Sequence, residues 1–423
     1  MQVCRRWRSL ILASASHLAL SLLCTYGTPV ADMLAHSPSL PLIIDYVGRD
    51  RDITAEEEEG MKLALQLRHR VRRIRLQMPL ARLQKVIVAV DQLFPMLECL
   101  YIQLPRRHSS GLILPNTFQA PHLRHVILHN FAFTTGLPSL TTIVGLVTLS
   151  LVEVHGSTYF LPNDLLQQLS LLPQLETLEI DFHFPVPNRD IEGQLLHRPI
   201  ITHVTLPNLR RLTLGGVTAY SEALLPRMTT PLLERLQIWL FFQLSYSVPR
   251  LLQFIGATES LRFGSAIFRF YTNFVRVDVY PHQGATMHTF SLDILRKDFD
   301  WQVASAAQIF SALRTVFSAV EHLTLEFRRN SIVSEMNREA DRTQWQELLR
   351  SFSNVKTLRV DIGLVGQLSR ALQVDDGLGE APMELLPELK ELEYSDRRAT
   401  KKAFKTFIDA RRNAGHPVFL VRR

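Results

Sequence analysis

The stretch Leu209-Arg-Arg-Leu-Thr-Leu214 decides the fold, because its spacing of apolar residues returns along most of the chain. The other copies begin at Val71, Leu97, Leu123, Leu146, Leu175, Leu233, Phe274, Val320, Val355 and Leu389. The fourth and sixth residues of each copy alternate with mostly polar ones, which is typical of a β-strand with one buried face. Each copy is therefore predicted to form one strand.

The spacing of these copies predicts how the strands assemble. The early copies follow one another at about 23 to 29 residues, and L-x-x-L-x-L at a period of about 20 to 29 residues is typical of a leucine-rich repeat. A single repeat cannot bury its own apolar face, so neighbouring repeats must stack. We predict an α/β leucine-rich-repeat solenoid, an open horseshoe with a parallel sheet on its concave face and helices outside. Wider spacings after Leu233 predict irregular repeats.

Helices and additional strands are predicted between the copies. Thr54-Ala-Glu-Glu57 has the pattern of a capping box that starts a helix, and Asn163 is in place to cap another. Residues 301–320 form the longest helical pattern, and the wide spacings predict extra strands at residues 260–263, 267–270 and 289–294.

The nine residues Val3-Cys-Arg-Arg-Trp-Arg-Ser-Leu-Ile11 have apolar residues at helical spacing and resemble the closing helix of an F-box. With the repeats that follow, the chain resembles the F-box/leucine-rich-repeat proteins that are abundant in mushroom-forming fungi. The resemblance implies a substrate receptor of an SCF-type ubiquitin ligase, in which an F-box binds a Skp-type adaptor and the repeats hold a protein substrate. It implies adaptor contacts by Val3, Cys4, Trp7, Leu10 and Ile11. The first two F-box helices would precede Met1, so the F-box is expected to be N-terminally truncated.

Two domains and a compartment are predicted. Residues 1–50 are expected to hold the F-box remnant and a connector, and residues 51–423 the solenoid with a C-terminal helix. The three cysteines include no C-x-x-C pair, which favours a reducing compartment, the cytoplasm or nucleus. Residues 9–31 hold no formal charge and follow three arginines, so a secreted or membrane-anchored repeat protein is an alternative. A second alternative is an interaction repeat protein without a working F-box.

The third, fifth and seventh places of each copy are predicted to face away from the core, onto the concave face. Arginines beside aromatic residues on such a face are the residue types of binding hot spots. The candidate partner-binding residues are Arg75, Tyr101, His125, His129, Arg211, Arg235, Trp239, Arg276 and Tyr280.

Other chemistries find little support in the sequence. His122 is expected to face opposite to His125, and no carboxylate or cysteine nearby completes a metal site. The basic runs lack interleaved aromatic residues, and the net charge of +7 bears on association rather than on fold, so no nucleic-acid partner is expected. No P-loop, G-x-G-x-x-G, G-x-S-x-G or H-E-x-x-H motif occurs. We predict a non-catalytic protein without cofactor, metal or membrane partner.

Overall fold

A computed structural model of the chain describes residues 20–36, 39–47, 53–90, 92–104, 112–113, 118–132, 143–154, 160–182, 200–241, 243, 246–296, 298–328, 341–373, 385–394 and 402–422. Two compact units are distinguished. The N-terminal unit holds the described residues up to Phe182 together with Ile200–Leu209, and the C-terminal unit holds those from Arg210 onward. The predicted division of the chain at residue 50 stays a prediction.

The N-terminal unit is built around a parallel sheet. Its strands are β1 (Leu22–Thr25), β2 (Leu42–Tyr46), β3 (Val71–Gln77), β4 (Cys99–Gln103), β5 (Leu112–Ile113), β6 (His125–His129), β7 (Phe131–Ala132), β8 (Thr148–Val154), β9 (Thr177–Phe182) and β10 (Val204–Thr205). The sheet runs in the order β1-β2-β3-β4-β6-β8-β9, and these neighbouring strands pair in parallel. β5 and β7 form a separate parallel pair. The sequence did not predict β1 and β2.

The register places the repeated apolar residues in continuous rows. Ile102, Leu128, Leu151 and Ile180 are neighbours on β4, β6, β8 and β9, and all are buried. Their alternation with partly exposed residues confirms that these copies form parallel strands with one face on the core.

The helices of this unit cover the buried face. They are α1 (Val30–His36), α2 (Ala55–Gln66), α3 (Leu80–Val90) and α4 (Pro162–Leu169). The capping box is confirmed, since Glu57 N donates to Thr54 Oγ1 and Thr54 N donates to Glu57 Oε2. The predicted asparagine cap is wrong. Leu161 precedes α4, and the Asn163 side chain accepts hydrogen bonds from the backbone of Ile201 and Thr202 instead.

The C-terminal unit has a sheet of mixed direction. Its strands are β11 (Arg211–Gly216), β12 (Met228–Thr229), β13 (Arg235–Leu240), β14 (Ser265–Phe270), β15 (Phe274–Tyr280), β16 (Phe290–Leu295), β17 (His322–Phe327), β18 (Thr357–Val360), β19 (Glu391–Tyr394) and β20 (Phe419–Arg422). The order is β11-β13-β16-β15-β14-β17-β18-β19-β20. Both neighbours of β15 run antiparallel to it, and the other neighbouring strands in this order pair in parallel.

The prediction that the copy at Phe274 is another parallel strand is therefore wrong. β14 ends at Phe270 and β15 begins at Phe274, and so short a link allows only an antiparallel return, because a parallel crossover needs about a dozen residues or more. The extra strands predicted at residues 267–270 and 289–294 are confirmed as β14 and β16. The one predicted at residues 260–263 is wrong, because those residues form no strand.

Helices cover one face of this sheet as well. They are α5 (Thr218–Leu224), α6 (Pro249–Ala257), α7 (Phe299–Ala312), α8 (Arg314–Phe317), α9 (Arg342–Arg350), α10 (Val365–Ala371) and α11 (Lys405–Asn413), with 3-10 turns at Leu225–Arg227 and Ile362–Leu364. The predicted helix at 301–320 is thus divided into α7 and α8. Phe268 on β14 packs on Phe310 of α7 at 4.9 Å between ring centroids, and both rings are buried. The chain is a mixed α/β protein with mostly parallel sheet.

Candidate recognition surface

The face of the N-terminal sheet opposite the core carries polar side chains that bind one another. Asp45, Arg75 and Tyr101 are neighbours in register on β2, β3 and β4. Arg75 Nη1 lies 2.8 Å from Asp45 Oδ2, and the guanidinium carbon lies 5.6 Å from the centroid of the Tyr101 ring. The Tyr101 hydroxyl donates to Gln103 Oε1. Arg75 and Tyr101 therefore lie where they were predicted, but much of their bonding capacity is used within the unit.

The two predicted histidines of β6 lie on the same face. His125 Nδ1 is 3.1 Å from Thr148 Oγ1, and the His129 ring lies 5.8 Å from that of Tyr101. Burial and the nearby Arg124 and Arg73 lower the pKa of His125, which keeps its ring neutral near pH 7. Within the described ranges no group of three or more His, Cys, Asp or Glu side chains is placed to hold a metal ion.

Two arginines of the C-terminal sheet stand side by side. Arg211 on β11 and Arg235 on β13 are direct partners in the parallel register. In the part of the chain that the structure describes, neither guanidinium has an ion pair or a hydrogen bond. Burial and the charge of Arg211 lower the pKa of Arg235. Arg211 and Arg235 are called the basic pair below. Like charges directly opposite each other destabilise a sheet, so the basic pair lowers the stability of the folded state.

Trp239 lies on the same face and strand as Arg235, four residues further along β13. Its ring is partly buried, and its indole N–H is buried without an acceptor among the described residues. A buried N–H without an acceptor costs about 1 to 3 kcal/mol. The basic pair and Trp239 together present three side chains whose bonding capacity is not used by the described residues of the unit.

An ion-paired network occupies the next strands of the same sheet. Arg276 on β15 holds Asp293 on β16 through two hydrogen bonds of 2.7 and 2.8 Å. Arg269 on β14 binds Asp278 on β15 and Glu326 on β17. Burial raises the pKa of Asp293, and Arg276 opposes that shift by favouring the carboxylate. The predicted contact residue Arg276 is therefore already ion-paired with Asp293 within the unit.

Tyr280 connects this network to the loop of residues 281–289. The phenol is among the groups that raise the pKa of Arg269, and the Tyr280 ring meets that of His288 edge-on at 6.3 Å between centroids. Burial lowers the pKa of His288; Asp278 raises it, and Arg235 lowers it further. The loop lies against the polar face, and we did not predict it as part of the site. Its sequence signals were Pro281 and Gly284, and Gly284 has a φ of 82° that favours glycine.

The loop borders a cleft of about 540 Å³ that sequence reasoning also missed. His322 and Arg359, from β17 and β18, lie in its floor. Both occupy third or fifth places of their copies, so the rule that selected the other candidates also applied to them.

The predicted partner-binding residues all lie on the sheet face opposite the core of their unit. Arg75, Tyr101, His125 and His129 belong to the N-terminal unit, and Arg211, Arg235, Trp239, Arg276 and Tyr280 belong to the C-terminal unit. The predicted adaptor contacts Val3, Cys4, Trp7, Leu10 and Ile11 lie outside the described residues. No described helix combines the length and apolarity that are needed to cross a bilayer.

Comparisons with known proteins give no family assignment. No protein-family model matches the chain, and no curated protein matches it.

Proposed function

We propose that the protein is a non-catalytic recognition scaffold of the leucine-rich-repeat type, and that the polar face of its C-terminal sheet holds a protein partner. The observation that carries the proposal is the basic pair Arg211 and Arg235 next to Trp239. Two arginines that are direct register partners, and a buried indole N–H without an acceptor among the described residues, lower stability, and a bound partner that supplies acceptors would relieve both costs.

The residue types support a protein partner. Tryptophan and arginine dominate the binding energy of protein interfaces, especially where they are partly buried before binding and fully desolvated after it. An acidic segment of the partner would be attracted to the basic pair and would also accept from the indole N–H. The repeated parallel strands provide the rigid base that keeps these side chains in place, which supports the proposal of an irregular solenoid.

The role that the resemblance implies is that of a substrate receptor for an SCF-type ubiquitin ligase in the cytoplasm or nucleus. In that role the helix with Val3, Cys4, Trp7, Leu10 and Ile11 would bind a Skp-type adaptor, while the sheet face would bind the substrate. The two functions use different residues, so they can be tested separately.

Co-purification from cells tests both parts. The full chain is expected to capture a partner, and Arg235→Glu with Trp239→Ala is expected to lose that partner while retaining the adaptor. Trp7→Ala with Leu10→Ala is expected to lose the adaptor while retaining the partner. Recovery of the partner without any adaptor would favour an interaction repeat protein without a working F-box. Capture of the same partner by the Arg235→Glu, Trp239→Ala variant would reject the proposed surface.

A further inference from the structure

The cleft over β14, β17 and β18 is bordered on one side by the loop of residues 281–289. Residues His282 to Thr286 of this loop line it, together with polar side chains of the three strands. Gly264 permits the loop to approach, because a Cβ atom there would lie 2.5 Å from the backbone oxygen of Pro281. At about 540 Å³, the cleft lies within the range of about 300 to 1,000 Å³ that is typical of ligand sites.

The strand register brings the polar residues of the floor together. Ser265, His322 and Thr357 are direct partners across the three strands, and Thr324 and Arg359 are partners one step further along. Direct partners on neighbouring strands lie about 5 Å apart, and residues two apart on one strand lie about 7 Å apart. One small ligand can therefore reach all five side chains.

These groups are donors that the described part of the chain leaves without partners. The Arg359 guanidinium has no ion pair or hydrogen bond there, and the buried His322 Nδ1 has no partner. The hydroxyl groups of Ser265, Thr324 and Thr357 also make no hydrogen bond within the described ranges. Buried polar groups are nearly always satisfied in proteins, and His322 Nδ1 is the buried one among these five. The other four groups are open to the cleft, so one ligand bound there would contact them and also give His322 Nδ1 a partner.

Tyr280 adds one more donor. It also lines the cleft, and its hydroxyl can donate to a ligand there. The nearby carboxylate of Glu326 is bound by Arg269 and Arg328, so its charge is compensated. Glu393, the register partner of Arg359 on β19, also lines the cleft and places a carboxylate there.

We infer that this cleft is a binding site for the phosphate group of a phosphomonoester. A guanidinium, an imidazole and several hydroxyls offer more donors than the two oxygens of a carboxylate need, whereas a phosphate has three terminal oxygens. Arginine binds two of these oxygens at once. The inference goes beyond the proposed function and involves neither the basic pair nor Trp239.

The test is calorimetric titration of the purified full chain with inorganic phosphate, with a phosphothreonine peptide and with the same peptide unphosphorylated. Saturable binding of a phosphate-bearing ligand is expected, and no binding of the unphosphorylated peptide. Arg359→Gln is expected to weaken binding about tenfold or more, since a charge-assisted hydrogen bond contributes about that factor. Glu393→Gln is expected to strengthen binding, because it removes the opposing charge.

Two further variants keep the outcome decisive. Thr324→Val removes one hydroxyl at nearly constant volume and is expected to weaken binding without loss of fold. Arg328→Gln is the matched control, because Arg328 directly follows β17, pairs with Glu326 and does not line the cleft. This variant is expected to leave phosphate binding unchanged. Binding of inorganic phosphate alone would assign the site to a free phosphomonoester, and preference for the peptide would assign it to a phosphorylated protein. No saturable binding by either, or equal binding by wild type and Arg359→Gln, would overturn the inference.

Discussion

The polar faces of the two units differ in how completely their charged side chains are paired. In the N-terminal unit Arg75 lies between Asp45 and the Tyr101 ring, and His125 contacts Thr148. In the C-terminal unit the network around Arg276 is paired as tightly, but Arg211 and Arg235 stand opposite each other without a partner among the described residues. Among the described residues, some charged side chains on these strands are therefore paired with a neighbour, and others, such as Arg211 and Arg235, are not.

This difference indicates which arginines would contribute most to the free energy of binding a partner. A ligand that binds Arg75 or Arg276 must compete with an existing carboxylate, whereas one that binds the basic pair replaces a repulsion with an attraction. The N-terminal unit also has an exposed arginine without an ion pair in the described ranges, Arg73, but its register partner is Cys99 rather than a second cation. Whether an arginine's charge is paired is therefore a better guide to a binding site than the sheet face on which the arginine lies.

The largest effect is expected where a paired charge loses its partner. Asp293→Ala is expected to lower the free energy of unfolding by about 2 to 3 kcal/mol, because Arg276 is left partly buried without its carboxylate. The loss is at the lower end for buried pairs since the Arg276 side chain is 34% exposed. Urea unfolding measures it, with Asp293→Asn as a control that keeps one acceptor and loses less. A loss below about 0.5 kcal/mol would show that the network contributes little.

The pairing in the N-terminal unit is expected to contribute less, because it is more exposed. Arg75→Ala removes the ion pair with Asp45 and the contact with the Tyr101 ring, and about 1 kcal/mol of stability is expected to be lost. Arg73→Ala, two residues earlier on the same strand, is the matched control and is expected to change stability by less than about 0.5 kcal/mol. Equal effects in the two variants would contradict the distinction between paired and unpaired positions.

Acidification is expected to destabilise both faces through their histidines. The pKa values of His125 and His288 are lowered, chiefly by burial, so both rings are neutral in the folded state above the unfolded pKa of about 6.5. As the pH falls from there through the lower folded pKa values, the unfolded state binds protons first and stability is lost. Each histidine is expected to contribute less than about 1 kcal/mol.

Thermal unfolding between about pH 8 and pH 5 measures this effect. The decline in melting temperature is expected to be shallower in His288→Asn than in wild type. A melting temperature that rises on acidification would contradict the direction of the pKa shifts.

The smallest effect is expected where a like charge is removed. Arg211→Gln relieves the repulsion with Arg235 and is expected to stabilise the protein by about 0.3 kcal/mol. Arg210→Gln, next to it in sequence, removes a guanidinium that is paired with Glu234 and is expected to give no gain. Chemical unfolding of both variants in one buffer compares them. A clear loss of stability in Arg211→Gln would mean that its guanidinium has a favourable partner.

The strands were the most predictable part of the fold. Copies such as Leu97-Glu-Cys-Leu-Tyr-Ile102 alternate in a way that only a half-buried strand satisfies, and their faces followed from that period. Strand direction was less predictable at Phe274, because the alternation is the same in both directions and only the short link to β14 distinguishes them. β1 and β2 were not predicted, since Leu22–Thr25 and Leu42–Tyr46 lack the repeated phrase.

The sequence predicted which side chains lie on the candidate surface, but not which of them pair with one another. The seventh place of its copy put Trp239 on the polar face, and that rule required no knowledge of neighbouring strands. Whether Arg276 meets an aspartate, or Arg235 meets another arginine, depends on the register between strands that are separated along the sequence. The cleft depends on the loop of residues 281–289, whose path is set by the close approach at Gly264 rather than by any periodic pattern.

The most direct test of the proposed surface is the affinity of the co-purified partner for three forms of the purified full chain. These are wild type, Arg235→Glu with Trp239→Ala, and the control Arg73→Glu, which makes the same charge reversal on the N-terminal sheet. The proposal predicts that the first double variant binds more weakly by at least about 2 kcal/mol, roughly thirtyfold, while the control binds as wild type does and all three melt at similar temperatures. Undiminished binding by the first double variant, or an equal loss in the control, would contradict it.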